Sequence, residues 1–345
     1  MDATPEIHLL SAGTALPGTP VDNATLAKRF QMDALWEQWV ETFIGTRSRH
    51  LAVDLETGEV GHTLADLGTA AARSALERAA LRAEDIDVVV MATSTPDSLM
   101  PATVNVVADR LGIDQVPSFQ LQSGCSGAVQ ALDLARQILG NGRHRTALVL
   151  GGDVVAPFYD VDVDLRKVAP AELVNFVLFG DGAGAAVLGT DPAPGSAALR
   201  SVFTRLVGLG RAPGATLEWY GPVKRPGNGP AAAEDYKAIE ELVPEMSEEV
   251  LHELLDDLEW RQDDVDLLLP PQLSGRMTAK IAERLGLADR QVSCVAETGN
   301  IGNGVVFFQL ERALARIRPG ERAVGISIES SKWIKAGFAL EGSDR

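Results

Sequence analysis

Hydrophobic and polar positions along this chain follow two periods, one typical of helices and one typical of buried strands. Residues 64–81 (LADLGTAAARSALERAAL) carry apolar side chains every three or four positions, which predicts an amphipathic helix. Residues 86–94 (IDVVVMATS) and 265–269 (VDLLL) are apolar runs without alternation, which predicts strands buried on both faces. Strands that alternate with helices in this way predict parallel sheets covered by helical layers.

The same succession of elements occurs twice in the chain. The matching stretches are EDIDVVV (84–90) with DDVDLLL (263–269), ADRLGI (108–113) with AERLGL (282–287), SFQLQSGCSG (118–127) with SCVAETGNIG (293–302), ALDLARQIL (131–139) with FFQLERAL (307–314), and RTALVLGGD (145–153) with ERAVGISIE (321–329). Near-constant spacing indicates a duplicated unit. We therefore predict an α/β/α/β/α architecture of five layers with two mostly parallel central sheets, a first half over 1–190 and a second half over 191–345.

Two less regular segments interrupt the repeat. Residues 154–175 form a long excursion, and residues 208–234 are rich in glycine and proline. Long loops in a compact domain are often lids or partner surfaces. Each segment could equally be surface padding, and both interpretations stay open.

The charge balance excludes several classes of partner. The 345 residues include 48 Asp and Glu against 31 Lys and Arg, a formal net charge of −17. A chain this acidic lacks the positive face that nucleic acids and anionic membranes require. No apolar run reaches the ~20 residues of a membrane span, and the N-terminal stretch lacks the pattern of a signal peptide. We expect a cytoplasmic enzyme.

Two cysteines are too few for a disulfide scaffold or a cysteine-rich zinc site, and we expect no metal. Cys125 lies between a predicted strand and a predicted helix, flanked by Gly124 and Gly127. A thiol at a helix N-terminus lies near the positive end of the helix dipole, which favours the thiolate, and the adjacent N–H groups can bind an oxyanion. Cys125 is therefore the candidate nucleophile, whereas Cys294 lies inside a predicted strand and is expected in the core.

The second copy places Asn300 where the first copy has Cys125. If the two halves face each other, both side chains point at one pocket. An amide can donate a hydrogen bond to a thioester carbonyl or an enolate oxygen. Asparagine is also a common turn residue, so a purely structural role remains open.

These residues resemble a known family. SGCSG in its strand–helix context, FGDGAGAAVLG (179–189) and the Gly-Asn turn at 299–300 are similar to β-ketoacyl-acyl-carrier-protein synthase III and related condensing enzymes of the thiolase superfamily. The resemblance covers nearly the whole chain. It implies a duplicated thiolase-like fold and a homodimer. It also implies acyl transfer from a coenzyme A or phosphopantetheine thioester, as substrate, onto the cysteine, with no permanently bound cofactor.

The resemblance assigns roles residue by residue. Cys125 matches the nucleophile and Asn300 the active-site asparagine. Trp39 matches an aromatic residue that stacks on the adenine of coenzyme A, and Met100 matches a position that shapes the acyl pocket from the dimer partner. Ser126, Gln272 and Trp333 are expected near the oxyanion site or the pocket.

Three departures from the family pattern change the expected chemistry. Pro271 stands where the family has a histidine, within Pro270-Pro271-Gln272-Leu273-Ser274, and proline offers no side-chain donor or base. Ser331-Lys332-Trp333 replaces a glycine-rich loop that contributes to the oxyanion hole. Phe43 replaces an arginine that holds the adenine, which favours a carrier-protein donor, although Arg166 or Lys167 could compensate.

The missing histidine leaves three hypotheses. Losing a positioned oxyanion donor typically costs about 10²–10³ in rate, so malonyl decarboxylation should be poor. The favoured hypothesis is an acyltransferase that moves an acyl group from Cys125 to an O, N or C acceptor without decarboxylation, for example in ester formation or tetronate-type ring assembly from a glyceryl thioester. The alternatives are a conventional starter-unit synthase III and a non-catalytic partner subunit of an active homologue.

Two further expectations concern charged residues. Glu297 is a candidate base for an alcohol acceptor, although a solvated turn carboxylate is the simpler interpretation. An acidic carrier protein would need a basic docking patch on this acidic chain, and Arg47, Arg49 and Lys224 are the candidates.

Overall fold

The computed structural model describes residues 5–155, 161–168, 170–217 and 232–344. Its strands are β1 (His8–Ala15), β2 (Val21–Asp22), β3 (Ser48–Arg49), β4 (Val88–Ala92), β5 (Ser118–Leu121), β6 (Thr146–Asp153), β7 (Gly182–Gly189), β8 (Ala197–Leu206), β9 (Ala215–Leu217), β10 (Ala232–Glu234), β11 (Leu267–Leu269), β12 (Arg322–Glu329) and β13 (Ile334–Gly342). Its α-helices are α1 (Asn23–Arg29), α2 (Ala34–Trp39), α3 (Leu64–Arg78), α4 (Thr103–Leu111), α5 (Gly127–Gly140), α6 (Pro170–Leu178), α7 (Tyr236–Leu258), α8 (Gly275–Arg284), α9 (Val295–Thr298) and α10 (Val305–Leu314).

The helix predicted over 64–81 shows how the local sequence sets an element. Helix α3 begins after Thr63, whose hydroxyl accepts from the Asp66 N–H while the Asp66 carboxylate accepts from the Thr63 N–H. This reciprocal capping satisfies two free N–H groups of the first turn. The helix ends at Arg78 because Ala80 adopts a left-handed backbone conformation, with φ +54°.

Among the described residues, nine strands form one continuous mixed sheet instead of the two sheets predicted, in the order β11-β12-β13-β8-β1-β7-β6-β4-β5. The contact between β8 and β1 consists of only two residue pairs, His8 with Ala198 and Leu9 with Ala197. Outward from this junction, the first half runs β1-β7-β6-β4-β5 and the second half runs β8-β13-β12-β11. The four strands of the second half therefore repeat the order of the first four strands of the first half, β1-β7-β6-β4. The boundary at 190/191 falls between β7 and β8.

The strand directions differ in part from the expectation of mostly parallel sheets. The pairs β4–β5, β4–β6 and β11–β12 are parallel, as predicted. The pairs β6–β7, β1–β7, β1–β8, β8–β13 and β12–β13 are antiparallel. A short turn joins β12 directly to β13, and adjacent strands joined by a short turn must be antiparallel.

The three largest cores of the described residues lie between the helices and the sheet. The middle core surrounds α5 and α10, and includes Ala128 and Leu132 of α5 and Phe307 and Leu310 of α10. Helix α5 contacts β4 and β6 of the first half together with β8 and β13 of the second. A second core packs α3 and α4 against the first half-sheet, and a third packs α7 and α8 against the second. The duplicated thiolase-like α/β fold predicted from the sequence is confirmed.

Among its described residues, the second half has no counterpart of strand β5. The stretch SCVAETGNIG matches the β5 region of the first half, but parallel pairing there is reduced to one bridge between Leu268 and Gln291. Helix α9 and a tight turn follow instead. Cys294 therefore precedes a helix rather than lying inside a strand, although its place in the core is confirmed, since it is fully buried beside Ile301 and Phe308.

Candidate active site

Cys125 lies in the 3₁₀ turn Gly124–Ser126, which connects β5 to the buried helix α5. Gly124 adopts φ +52°, a conformation that glycine reaches without strain. Strand β12 of the other half holds the Cys125 peptide at both ends. The Ser327 hydroxyl donates to the Cys125 carbonyl at 2.8 Å, and the Cys125 N–H donates to the Glu329 carboxylate. The second half thus fixes the nucleophile of the first.

A small cavity of about 40 Å³ brings residues of both halves together. Its lining is Cys125, Pro271, Gln272, Leu273, Asn300, Gly302, Val305, Val306, Gln309, Ile326, Ser327 and Ile328. Cys125 and Asn300 share this cavity, as the repeat alignment predicts. Pro271 lines the same cavity, so the position that matches the family's histidine carries no titratable group there.

The environment of Cys125 opposes the thiolate. Solvent reaches the residue, yet the protein around its thiol limits hydration. This burial, together with the negative charges of Glu329 and Asp153, raises the pKa of the thiol well above its usual range. The expectation of a thiolate stabilised by the helix dipole is therefore not met, because burial of the thiol and, after it, the nearby carboxylates raise the pKa more than the helix N-terminus lowers it.

Asp153, at the end of β6, fixes the turn that carries Asn300. One carboxylate oxygen accepts from the N–H and the side-chain amide of Asn303, at 2.8 and 2.9 Å. The other accepts from Ser94 N–H at 2.7 Å and from the Thr93 hydroxyl at 3.1 Å. Burial raises the pKa of Asp153 while these hydrogen bonds lower it, and the burial is the larger effect. The first half thus holds the active-site turn of the second.

Asn300 and Gln272 are held by backbone groups near their own turns. The Asn300 side-chain oxygen accepts from Gly302 N–H at 3.0 Å. The Gln272 side-chain oxygen accepts from the Ser293 hydroxyl and from the N–H groups of Cys294 and Val295, at 2.8 to 3.0 Å. Gln272 therefore caps α9, the helix that leads into Asn300.

Two residues expected in the pocket lie outside its lining. Ser126 is fully buried, and its hydroxyl donates to Ser123 O at 2.9 Å. Trp333 packs in the core beneath α7, and its indole N–H donates to Ala212 O at 2.8 Å. Of the residues at the turn after β12, the one that contacts Cys125 is Glu329 rather than Trp333.

Glu297 is also outside the pocket lining. Its carboxylate forms salt bridges with Arg47 at 2.6 Å and Arg312 at 3.4 Å, and its side chain is 48% exposed. A carboxylate held by two guanidinium groups at the surface is poorly placed to take a proton from a substrate inside the cavity. Glu297 is therefore not placed to serve as the base, contrary to the expectation from the sequence.

The expected coenzyme A contacts lie at the surface around α2. Trp39 is partly buried at the end of α2, and Phe43 is 63% exposed in the π-helical turn Val40–Ile44. Arg166 forms a salt bridge with Asp164 at 2.8 Å, and this contact lowers the pKa of Asp164. None of these three side chains lines the cavity. Their roles toward coenzyme A stay predictions.

Met100 and the three basic residues proposed for docking have different environments. Met100 is 87% exposed, as a residue that meets a dimer partner would be in a single chain. Arg49 is fully buried, where it donates to Asn23 and to Val177 O, so it cannot contact a carrier protein. Arg47 is paired with Glu297, and Lys224 lies outside the described residues.

The residues that sequence reasoning missed are Asp153 and Glu329. They end the matching stretches RTALVLGGD and ERAVGISIE, so the repeat itself offered a signal: each copy ends a buried strand with a carboxylate. Within the described part of the chain, no cluster of three or more His, Cys, Asp or Glu could hold a metal ion. None of the described helices is long and apolar enough to span a membrane.

The duplicated fold and the pocket shared by a cysteine and an asparagine define a condensing enzyme of the thiolase type. Family profiles for 3-oxoacyl-[acyl-carrier-protein] synthase III match residues 119–205, and for its C-terminal part residues 255–330. The chain is 32% identical over 318 residues to β-ketoacyl-[acyl-carrier-protein] synthase III of Thiobacillus denitrificans, covering 91% of this chain and 92% of the relative. It is 32% identical over 328 residues to a synthase III of Streptomyces coelicolor, covering 92% and 91%.

Two solved structures extend the comparison. The structure titled "AbyA1 - tetronic acid condensing enzyme" is 66% identical, with a TM-score of 0.95, covering 97% of this chain and all of that one. The priming β-ketosynthase of the R1128 polyketide pathway is 27% identical, with a TM-score of 0.81, covering 100% and 98%. The chain belongs to the β-ketoacyl-[acyl-carrier-protein] synthase III family, and it is a ketosynthase III-type enzyme.

Proposed function

We propose that this enzyme takes a short polar acyl group from a carrier-protein thioester onto Cys125 and joins it to a second thioester to form a tetronic acid ring. The observation that carries the proposal is the cavity itself. It presents Cys125 and Asn300 from opposite halves, with Pro271 in place of a histidine. The 66% identity to a protein titled a tetronic acid condensing enzyme supports the same reaction.

The chemistry of ring formation fits a site without the histidine. A tetronic acid assembled from a glyceryl thioester and a β-ketoacyl thioester needs one C–C bond and one C–O bond, and it releases two thiols. The acidic carbon of the β-ketoacyl partner loses a proton rather than carbon dioxide. No oxyanion donor for malonyl decarboxylation is therefore required at position 271.

The polarity of the cavity favours a polar donor. Its lining includes the polar side chains of Gln272, Asn300 and Ser327, which can bind the hydroxyl groups of a glyceryl chain. The Asn300 side-chain amide is the available donor for an enolate oxygen of the second substrate.

We further propose a homodimer served by an acyl carrier protein. In the described part of the chain β5 pairs only with β4, which leaves its outer edge free, and Phe119 on this strand is 39% exposed. Leu99 and Met100 are 70% and 87% exposed. A free hydrophobic edge is a template for pairing with a second copy. Carrier-protein delivery is supported by Phe43, which offers no charge to an adenine nucleotide.

The test is intact mass spectrometry after incubation with glyceryl, acetyl and malonyl thioesters of a carrier protein and of coenzyme A. We expect a glyceryl adduct on the wild-type chain and none on Cys125→Ala. Addition of a β-ketoacyl thioester should discharge the adduct and release a tetronic acid, detected by its mass.

The other outcomes separate the alternatives. Loading with acetyl followed by carbon dioxide release from a malonyl thioester would indicate a conventional starter-unit synthase and contradict the proposal. A folded dimer that accepts no acyl group would indicate a non-catalytic partner subunit.

A further inference from the structure

The carboxylate of Glu329 occupies a backbone anion site beside the nucleophile. One of its oxygens accepts from the N–H of Cys125, and the other accepts from the N–H of Ser331 at 2.6 Å. Glu329 is the last residue of β12 and only 4% exposed. Two backbone N–H groups that converge next to a nucleophilic sulfur form the arrangement that stabilises a tetrahedral oxyanion.

The surrounding backbone is shaped to admit this carboxylate. A Cβ at position 124 would overlap the Glu329 carboxyl group, so only glycine leaves room for it. Ser331 is brought to the same point by the turn between β12 and β13. Burial and, after it, the negative charge of Glu329 raise the pKa of the Cys125 thiol. Glu329 therefore lies beside the reacting residue and binds the N–H groups that the substrate needs.

This arrangement creates a conflict for acyl transfer. The carbonyl oxygen of an incoming thioester gains negative charge as sulfur attacks, and it needs the N–H groups of Cys125 and Ser331. While Glu329 is charged, it holds both groups with charge-assisted hydrogen bonds, which are roughly twice as strong as neutral ones. Acylation therefore requires the Glu329 carboxylate to become neutral or to move away from these two N–H groups.

We propose that Glu329 is the general base for Cys125 and that accepting the thiol proton releases the oxyanion site to the substrate. The inference rests on the proposed function in one respect, that Cys125 carries the acyl group. The proposal gives the site a proton acceptor, which proline at position 271 cannot provide.

The step balances in protons and bonds. The Cys125 S–H bond breaks and the proton passes to a Glu329 oxygen, while sulfur forms a bond to the thioester carbonyl carbon. The tetrahedral oxyanion takes the N–H groups of Cys125 and Ser331, which a neutral carboxylic acid binds weakly. Collapse breaks the carbon–sulfur bond of the donor, and Glu329 returns the proton to the departing thiol.

The other charged groups around the thiol support this assignment. Asp153 on β6 and Glu234 on β10 also place negative charge near Cys125 and raise the pKa of its thiol. The thiol is then largely protonated at neutral pH, so attack needs a proton acceptor at hand. Asp153 is occupied by its bonds to Thr93, Ser94 and Asn303, and no hydrogen bond joins Glu234 to the N–H of Cys125 or Ser331.

The experiment compares two reactions of Cys125 over a range of pH. Alkylation by iodoacetamide measures the thiolate fraction and needs no oxyanion site. Acylation by p-nitrophenyl acetate needs both a proton acceptor and the N–H pair, and it does not depend on the natural donor. Each rate is measured for wild type, Glu329→Gln, Glu329→Asp and Glu234→Gln, with Cys125→Ala as background.

We expect Glu329→Gln to change the two reactions in opposite directions. Alkylation at pH 8 should become faster, because removal of a negative charge lowers the thiol pKa. Acylation at pH 7 should become about 10²-fold slower, the typical contribution of a positioned general base, and should then rise about tenfold per pH unit. Glu329→Asp keeps the charge on a shorter side chain and should recover part of the acylation rate. Glu234→Gln should speed alkylation without slowing acylation.

Other outcomes would overturn the assignment. If both reactions became faster, Glu329 would only block the site. If both became slower in a variant whose circular dichroism matches wild type, its role would be structural, and unchanged rates would exclude any role. Failure to load a glyceryl thioester in a wild type that still reacts with p-nitrophenyl acetate would count against the proposed function alone.

Discussion

The two cysteines of this chain differ in surroundings and therefore in chemistry. Cys125 lies in a turn that solvent reaches, against the Glu329 carboxylate. Cys294 is fully buried among apolar side chains, and this burial raises its pKa to about 12. A thiol with that pKa is protonated at every physiological pH and acts as a small apolar side chain. Cys125 also has a raised pKa, but solvent and a carboxylate reach it, so reactivity at neutral pH should belong to Cys125.

The raised pKa of Cys294 predicts a pH-dependent stability. A folded-state pKa of about 12 lies above the unfolded value of roughly 8.5, so the contribution of the thiol is complete below that lower value and is lost as pH rises toward 12. We expect Cys294→Ala to be about 1–2 kcal/mol less stable than wild type at pH 7, from the cavity it leaves. This difference should shrink above pH 9 and reverse in sign before about pH 11, because the wild type loses about 1.4 kcal/mol per pH unit above the unfolded pKa. Urea unfolding at matched pH values tests it, and a constant difference would contradict the assignment.

We expect the Gly124→Ala substitution to reduce the rate of acylation more than it reduces the stability of the fold. Alanine there would strain a backbone with φ +52° by ~1–2 kcal/mol and would displace Glu329. We expect acylation of Gly124→Ala by p-nitrophenyl acetate to fall at least ~10²-fold. Gly112→Ala is the matched control, because Gly112 has φ +76° and open space around it. It should lose similar stability and keep its acylation rate, and equal losses of rate in both variants would refute the prediction.

At the scale of elements, each half of the molecule holds the active turn of the other. Strand β6 ends in Asp153, which fixes the turn after Asn300, and β12 ends in Glu329, which binds the turn of Cys125. The repeat made Cys125 and Asn300 predictable as neighbours, because their positions correspond in the two copies. It marked Asp153 and Glu329 only as carboxylates at the ends of matching strands, and it did not show which turns they bind, since both reach those turns across long sequence separations.

Because Gln272 caps α9, which leads into Asn300, we expect a change at Gln272 to shift the position of Asn300. Gln272→Leu removes the acceptor of three donors at the start of α9, and stranded buried N–H groups cost about 1–3 kcal/mol each. We expect a loss of about 3 kcal/mol in urea unfolding and a slower discharge of acyl-Cys125 by the second thioester. Gln272→Glu keeps an acceptor oxygen and should lose less than half as much. An unchanged discharge rate in the leucine variant would show that α9 does not position Asn300.

The whole molecule was predictable where its sequence repeats and less so where it departs from the repeat. The five layers and the shared pocket followed from the duplicated pattern. The conversion of the last strand of the second half into α9 did not, because short apolar runs of strand and helix look alike. Similarly, the burial of Arg49 depends on Asn23 and Val177, which are distant in sequence and come together only in the fold.

The free edge of β5 predicts the assembly state. Ser118–Leu121 ends the nine-stranded sheet, and unpaired strand edges in natural proteins are covered, charged or paired with another chain. This edge carries Phe119, with Met100 exposed on the same half. We expect a twofold dimer by analytical ultracentrifugation. Because each copy has a formal net charge of −17, association should strengthen as salt screens the repulsion.

Charge placed on that edge should separate the copies without unfolding them. Phe119→Lys is expected to sediment as a monomer at micromolar concentration, since a charge at the centre of an apolar interface is left without a partner. Leu35→Lys is the matched control, because Leu35 is 72% exposed on α2 and lies away from the edge. It should remain dimeric. A dimeric Phe119→Lys variant would place the interface elsewhere, and Met100 would then have to be explained as a surface residue of the single chain.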